Sequence, residues 1–265
     1  MTLQIFGKTD IGLLHRHNED HVLVLNDVIN TGEIHVTGDQ FDRFIESHKA
    51  AWIAVADGIG GTSGGDVASR ITLEALIDCF SKSVRQSNQE LMLKGAMVES
   101  NQKVLAAARE NQALYAMGST ICGLFFRGSS VLAFYAGDSR IYRWRNGVLA
   151  LLSKDDARPG LIAERAGMSL EEAVESGSAT ITNYIGTPAL EPHVAGDWEI
   201  ATDDIYLICS DGLYGMVPKQ LMAAVLENSS TSLVEKGRQL NRKAIEAGGC
   251  DNISLVLVAG ICLRA

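Results

Sequence analysis

Short apolar runs that stop at glycine, aspartate or asparagine recur along the chain and predict β-strands. The clearest run is WIAVA at residues 52–56, which is rich in strand-forming residues and ends abruptly at Asp57. Two further runs flank Asn146-Gly147, a pair that favours a tight hairpin turn. The predicted strands are residues 3–7, 22–25, 52–56, 119–126, 131–136, 140–144, 148–152, 205–209 and 253–258.

Apolar residues at helical spacing predict the helices. One helix follows the central strand over residues 67–80, and a second lies within residues 87–111 with Asn88 as its N-cap. Residues 29–50 are polar and predict a loop with a short helical turn around 41–47. Two more helices are predicted at residues 218–227 and 232–247. Two groups of strands, each accompanied by a pair of helices, indicate two sheets packed face to face with helices outside.

Residues 153–187 interrupt the rhythm of strands. This stretch contains Pro159-Gly160 and a predicted helix that starts with a capping box, Ser169 and Glu172. An insertion of this length between strands usually has a function. We therefore expect a single domain over residues 1–265 that carries an insertion at about 153–187.

Five aspartates stand at the ends of predicted strands. Asp57, Asp138 and Asp211 follow strands, whereas Asp20 and Asp251 precede them. The exit ends of some antiparallel strands lie beside the entry ends of others, so all five side chains are expected to meet on one edge. Five crowded carboxylates repel one another unless cations neutralise them. The pattern predicts a metal cluster with oxygen ligands.

Composition narrows the class of protein. The 265 residues carry a net charge of −9, which argues against nucleic acid as a partner because phosphate binding needs a basic face. The longest strongly apolar stretch, residues 253–263, is too short to span a membrane. With no signal sequence at the start, we expect a cytoplasmic protein without a membrane partner. The cysteines show no metal-finger spacing and are expected to be small buried residues in a reducing compartment: Cys79, Cys122, Cys209, Cys250 and Cys262.

Six short motifs occur in order along nearly the whole chain: Asn18-Glu19-Asp20, Asp57-Gly58-x-Gly60-Gly61, Gly118-Ser119-Thr120, Gly137-Asp138-Ser139-Arg140, Ser210-Asp211-Gly212-Leu213 and Asp251-Asn252-Ile253-Ser254. Each motif alone is weak, but together they resemble the metal-dependent protein phosphatase family, the type 2C serine/threonine phosphatases, in its bacterial single-domain form. The resemblance implies an α+β fold, a four-layer α-β-β-α sandwich of two mostly antiparallel sheets. It also implies hydrolysis of phosphoserine and phosphothreonine in proteins by a metal-activated water.

The resemblance also implies roles for the acids. Asp57 would bridge two Mn²⁺ or Mg²⁺ ions, with the carbonyl of Gly58 as a further ligand. Asp211 and Asp251 would complete the core site, and Asp138 would help to bind a possible third ion. Oxygen ligands without a cluster of cysteines or histidines suit Mn²⁺ or Mg²⁺ better than zinc.

Other implied roles concern water, phosphate and substrate. Glu19 and Asp20 would hold metal-bound waters. The family usually grips the substrate phosphate with an arginine where this chain has His15, so His15 or its neighbour Arg16 is the candidate. The 153–187 insertion resembles the flap that lies beside the active site in this family. The expected partners are phosphorylated proteins and a cognate bacterial serine/threonine kinase that phosphorylates them.

The chain departs from the family pattern at several places, and alternatives stay open. Ile59 stands where some members have a histidine, Tyr214-Gly215 where tryptophan and aspartate are frequent, and Asn183 where arginine is common. A phosphoprotein-binding module that has lost turnover is the main alternative. A transition-metal site formed by three histidines is another: His15, His17 and His21. The glycine-rich residues 58–65 lack the Gly-Lys-Ser/Thr of a nucleotide-binding loop.

Overall fold

The computed structural model describes residues 2–60, 64–83, 86–159 and 179–261. The strands are β1 (Thr2–Asp10), β2 (His21–Val24), β3 (Asp27–Ile29), β4 (Gly32–Val36), β5 (Ala51–Ala56), β6 (Gly58–Ile59), β7 (Gly118–Ser119), β8 (Ile121–Arg127), β9 (Ser130–Ala136), β10 (Arg140–Arg145), β11 (Val148–Leu151), β12 (Ala157–Pro159), β13 (Ala179–Ile181), β14 (His193–Glu199), β15 (Ile205–Cys209) and β16 (Ile253–Ile261). The helices are α1 (Gly38–His48), α2 (Gly65–Ser83), α3 (Gln89–Glu110), α4 (Asp211–Tyr214), α5 (Lys219–Glu227) and α6 (Leu233–Glu246), with a 3₁₀ turn at Gln112–Leu114.

Two six-stranded sheets form the centre of the molecule. The first has the strand order β11-β10-β15-β16-β1-β4 and the second has the order β14-β9-β8-β5-β2-β3. Every pair of neighbours in both sheets is antiparallel. Two short ladders, β6–β7 and β12–β13, stand outside the large sheets.

Successive side chains on a strand point to opposite faces of the sheet. One face packs against the other sheet, and the opposite face packs against helices. On β5, Ile53 and Val55 belong to the core between the two sheets, whereas Trp52 packs in a second core against α2 and α3. On β1, Ile5 faces the other sheet and Phe6 packs against the helices at the opposite surface. The order is therefore helices, sheet, sheet, helices, which confirms the predicted four-layer sandwich.

The interpretation of residues 29–50 as mainly a loop is wrong, although the helical turn expected around 41–47 lies within a longer helix. This segment holds β4 and the full-length helix α1. β4 pairs with β1 at the edge of a sheet and leaves most of its side chains in water, so it lacks an apolar run. The start of α1 is fixed because the backbone N–H of Thr37 donates to the side chain of Gln40 at 2.8 Å.

A second edge strand, β14, was also missed. It pairs with β9 and contains Gly196, where the register shifts. A glycine and a shift in register break the alternation that identifies a strand in a sequence. The predicted helix at Ser169 lies outside the described residues.

The three cysteines that lie on strands or helices are buried, as predicted: Cys79, Cys122 and Cys209. Cys250 is exposed instead, and Cys262 lies outside the described residues. In the part of the chain that the structure describes, no helix is both long enough and apolar enough to cross a membrane.

Two glycines on helices provide a test of how tightly the layers pack. A Cβ atom added at Gly237 of α6 would lie 2.2 Å from the ring of Phe6, whereas one added at Gly95 of α3 would meet no described residue within 4 Å. We expect Gly237→Ala to lower the free energy of unfolding by about 1–3 kcal/mol through overpacking. Gly95→Ala should raise it by about 0.5–1 kcal/mol, because alanine loses less backbone entropy on folding. Urea unfolding measures both changes, and similar effects at the two sites would contradict the tight contact of α6 with β1.

Candidate metal centre

Strand register brings two of the aspartates together at one end of the second sheet. Asp57 follows β5, and Asp20 precedes β2. These strands are antiparallel neighbours, and His21 lies opposite Ala56 in the ladder. Asp20, which precedes β2, and Asp57, which follows β5, therefore lie at the same edge of the sheet.

The first sheet contributes the other three acids in the same way. Asp211 follows β15 and Asp251 precedes β16, its antiparallel neighbour. Asp138 precedes β10, in which Arg140 lies opposite Cys209 of β15. The two sheet edges are joined directly, because the hydroxyl of Ser210 donates to the carboxylate of Asp20 at 2.7 Å.

Burial and crowding dominate the electrostatics of this edge. Burial raises the pKa of Asp57 well above its usual value, and the charges of Asp20, Asp211, Asp138 and Asp251 raise it further. Burial also raises the pKa of Asp20 to about 8 and that of Asp138 to about 6. The pKa of Asp211 is raised by burial and by the charge of Asp251. The structure therefore places all five acids in one region where their negative charges oppose one another.

The donor set fits a hard divalent cation. Asp211 Oδ1 is buried and has no hydrogen-bond partner among the residues that the structure describes, so a carboxylate oxygen is left without compensation there. The surrounding ligand candidates are oxygen atoms, which suit Mn²⁺ or Mg²⁺. Across the described ranges, no three histidine, cysteine, aspartate or glutamate side chains are already drawn into a compact ligand group. The case for cations at this edge thus depends on charge and on the uncompensated oxygen.

Gly58 and Glu19 lie beside the acids in a tightly packed arrangement. A Cβ atom at Gly58 would meet the carbonyl oxygen of Gly65 at 2.3 Å, so no larger residue fits where the chain leaves Asp57. The carboxylate of Glu19 lies against Gly65 at the start of α2. Burial, and next the charge of Asp66, raise the pKa of Glu19.

The structure places His15, rather than Arg16, against the acid cluster. The imidazole Nε2 of His15 lies 3.3 Å from Asp251 Oδ1, and both side chains are nearly half exposed. Arg16 is exposed and makes no ion pair within the described residues. His21 is buried against the hydroxyl of Ser69 at 2.9 Å, and burial lowers its pKa to about 4. The alternative of a three-histidine metal site gains no support from this arrangement.

Asn252 holds the His15 loop in place, a role that the sequence did not reveal. Its amide donates to the carbonyl of Ile11 at 2.9 Å and to that of His17 at 3.2 Å. Its side-chain oxygen accepts from the N–H of Glu19 at 2.7 Å. Asn252, which directly follows Asp251, therefore holds both ends of this loop. Its position inside a recognised motif was the only available signal.

A cleft of about 430 Å³ opens beside the acids and includes Asp138, Asp211 and Asp251. The guanidinium of Arg140 lies 3.8 Å from the centre of the Tyr214 ring, and the Tyr214 hydroxyl donates to the carbonyl of Asp138 at 3.0 Å. The departure from the family pattern at residue 214 thus places an aromatic ring against the residue expected to bind a third ion.

Asp156 connects the turn before Asp138 with the base of the insertion. Its carboxylate accepts from the N–H of Gly137 at 3.2 Å and from the amide of Asn183 at 2.7 Å. It also lies 3.0 Å from Nε2 of His193. Asn183, at the position where the family often has arginine, thus works here as a structural partner of Asp156.

Comparison with known proteins identifies the family. A model of the protein phosphatase 2C family matches residues 35–244. The serine/threonine phosphatase stp of Listeria innocua is 30% identical over 257 residues, which covers 95% of this chain and 93% of that protein. The chain belongs to the protein phosphatase 2C family and is a metal-dependent serine/threonine protein phosphatase that acts on phosphoproteins.

Solved structures agree with this assignment. The serine/threonine phosphatase of S. agalactiae matches with a TM-score of 0.79 and 26% identity, covering 98% of this chain and all of that one. The catalytic domain of the phosphatase PstP, solved with two manganese ions, matches with a TM-score of 0.74 and 26% identity over 97% of this chain and 99% of that one.

The raised pKa values predict how stability depends on pH without metal. Folded Asp20 binds its proton up to about pH 8, whereas an unfolded aspartate releases its proton near pH 4. The folded state therefore binds more protons in between, and stability must fall as pH rises through this range. We expect the metal-free protein to lose on the order of 1–2 kcal/mol of unfolding free energy between about pH 6.5 and pH 8.5.

Urea unfolding in EDTA at several pH values measures this loss. Asp20→Asn should flatten the dependence, and Asp27→Asn, on the exposed start of β3, should leave it unchanged. The range begins at about pH 6.5 so that His21 does not contribute to the change. Folded His21, with its pKa lowered to about 4, binds fewer protons than an unfolded histidine, and this difference affects stability only below about pH 6.5. Stability that rises toward pH 8.5 would contradict the crowding of acids.

Proposed function

We propose that this phosphatase hydrolyses phosphoserine and phosphothreonine at the acid cluster, where Asp57, Asp211 and Asp251 hold two divalent cations, Mn²⁺ or Mg²⁺. The buried Asp211 Oδ1 without a partner carries this proposal, because such an oxygen needs a cation or a proton to compensate it. The aspartates that surround it supply more negative charge than this edge can hold without compensation.

The residues around the proposed cations have different proposed roles as metal ligands or as partners of bound water. Asp57 would hold both ions, because the charges of acids from both sheets act on its carboxylate. The carbonyl of Gly58 is a further candidate ligand, and Asp138 is the candidate for a third ion. Glu19 and Asp20 would hold metal-bound waters. Bound divalent cations supply an activated water and neutralise the charge on the transferring phosphoryl group.

His15 is the proposed phosphate contact. It lies on the loop that Asn252 fixes, with its ring Nε2 3.3 Å from Asp251 Oδ1, so its imidazole stands beside a candidate metal ligand. A phosphate held there would face the candidate metal ligands. Arg16, one residue along, is the second candidate.

We propose that residues 1–265 form one catalytic domain in which residues 153–187 act as a flap that selects protein substrates. The contacts of Asp156 with the Asp138 turn and with Asn183 support a link between this flap and the acid cluster. A cognate kinase that phosphorylates the same proteins is the proposed partner. The phosphoprotein-binding alternative is not favoured, because the relatives are serine/threonine phosphatases and the chain keeps the acids expected to bind metal.

Removing metal or a central acid tests the site. Hydrolysis of phosphopeptides and of p-nitrophenyl phosphate should require Mn²⁺ or Mg²⁺ and stop in EDTA. Asp57→Asn, Asp211→Asn and Asp251→Asn should each lower kcat by more than about a hundredfold, since loss of an ion removes both the nucleophile and the charge stabilisation. Calorimetric titration with Mn²⁺ should show weaker binding in each variant.

Asp27→Asn is the matched control, because it removes the same charge from an exposed strand remote from the cluster. Near-normal kcat and Mn²⁺ affinity in any one of the three variants would remove that residue from the site. Full activity after metal stripping, or recovery with zinc alone, would count against the proposal as a whole.

Substitution of His15 tests the phosphate contact. Arginine carries a permanent charge on a planar fork that matches phosphate, so His15→Arg should lower KM for p-nitrophenyl phosphate at about pH 8 by about threefold or more. Arg16→Ala should change KM little if His15 holds the phosphate. A sharp rise in KM for Arg16→Ala, with no effect of His15→Arg, would transfer the role to Arg16.

A further inference from the structure

A groove of about 670 Å³ lies where the end of α3 meets the segment after β13. Its walls are mostly apolar or aromatic and include Leu105, Tyr115, Met117, Tyr184 and Pro188. No motif in the sequence pointed to this groove, and none of the residues proposed to bind metal or phosphate lines it.

Tyr115 is held outward at the rim of the groove. Its side chain is 83% exposed, and its backbone N–H donates to Gln112 at 3.2 Å. The next residue, Ala116, has a φ of +64°, in the left-handed region that residues with a Cβ rarely adopt. The N–H of Met117 then returns to the carbonyl of Leu114 at 3.1 Å. A hydrogen-bonded turn therefore presents an aromatic ring to solvent. In the free protein this ring contributes no burial of apolar surface to the stability of the fold.

Among the described residues, Arg109 is the one charged residue that lines the groove. It is exposed, and within the ranges described it makes no ion pair. In a chain with a net charge of −9, this arginine offers an unpaired positive charge beside an apolar surface. The groove thus suits an apolar side chain that has an acidic neighbour.

The groove is connected to the acid cluster through β7. The N–H of Thr120 donates to the carbonyl of Asp57 at 2.8 Å, and Met117 lies three residues before Thr120 on the same segment. At about 3.3 Å per residue, the groove begins roughly 10 Å from the backbone of Asp57. An extended peptide with its phosphorylated residue at the cluster covers that distance with about three residues.

We propose that this groove binds the phosphoprotein substrate itself, taking an apolar or aromatic residue that lies about three to five residues from the phosphorylated one, with an adjacent acidic residue against Arg109. The proposal rests on the function proposed above, because it requires the phosphate to lie at the acid cluster. The groove then adds sequence preference to a centre that by itself recognises only a phosphate.

Phosphothreonine peptides of one length test this preference. One peptide carries a Leu-Glu pair about four residues from the phosphothreonine on each side, and the others replace the pair by Ala-Glu, Leu-Lys or Ala-Ala. We expect the Leu-Glu peptide to have the highest kcat/KM, with at least about a fivefold loss when leucine is removed, as for a buried anchor residue. Exchange of glutamate for lysine should cost about two- to fivefold, as for an exposed ion pair.

Variants of the groove should change the ratio of kcat/KM for the peptide to kcat/KM for p-nitrophenyl phosphate. Tyr115→Ala should lower this ratio for peptides that contain leucine. Arg109→Glu should make kcat/KM higher for the Leu-Lys peptide than for the Leu-Glu peptide. A general loss of folding would lower both values and would not reverse their order. Leu91→Ala, also exposed on α3, and Arg43→Glu, on α1 at the opposite end of β5 from Asp57, are the matched controls and should leave the ratio unchanged.

Several results would overturn the proposal. Equal kcat/KM for all four peptides would show that the groove does not bind substrate, as expected if the chain's own residues 160–178 cover it. A preference among peptides that survives both Tyr115→Ala and Arg109→Glu would place recognition elsewhere. A peptide KM that varies with enzyme concentration would assign the groove to contact between two copies. Failure of the proposed function is distinguishable, because it would abolish Mn²⁺-dependent hydrolysis of p-nitrophenyl phosphate as well.

Discussion

The repulsion among carboxylates at the joint edge of the two sheets is the constraint on which the rest of the structure depends. Antiparallel register fixes where each acid stands: Asp57 and Asp20 on one sheet, and Asp211, Asp251 and Asp138 on the other. Burial then raises the pKa values of Asp57, Asp20, Asp138 and Asp211, so the metal-free fold carries an electrostatic cost that bound divalent cations would remove. In the proposed function, the same arrangement that weakens the free protein would bind metal and stabilise a phosphoryl group.

Polar side chains from loops hold this unfavourable edge in place. Ser210 joins the two sheets through Asp20, and Asn252 ties the His15 loop to the position beside Asp251. Asp156 makes the corresponding connection between the Asp138 turn and Asn183. Each of these bonds joins segments far apart in the chain. The acids are therefore positioned by contacts across the domain, and the His15 loop and the base of the insertion are connected to the same framework.

Much of the fold follows from the sequence, because buried strands such as β5 are continuous apolar runs and helices such as α3 have recognisable caps. The four layers follow from two groups of strands with helices beside each. The sequence failed at β4 and β14, which lie at sheet edges. β4 exposes polar residues and β14 contains a glycine and a register shift, so no local pattern reported either strand. The edge strand β11 was predicted, because its hairpin turn at Asn146-Gly147 is a local signal. The length of α1 was also missed, because it depends on a single cap at Thr37.

For the functional site, the sequence by itself determined which acids gather, because aspartates at strand ends must share an edge once the strands pair. Together with the motifs around them, this was enough to indicate metal-dependent phosphatase chemistry. Only the tertiary structure decided that His15 rather than Arg16 faces Asp251, that Asn252 and Asp156 brace the surrounding loops, and that Tyr115 and Arg109 line a groove near β7. These facts depend on contacts between segments remote in the chain, whose side-chain directions no local pattern specifies.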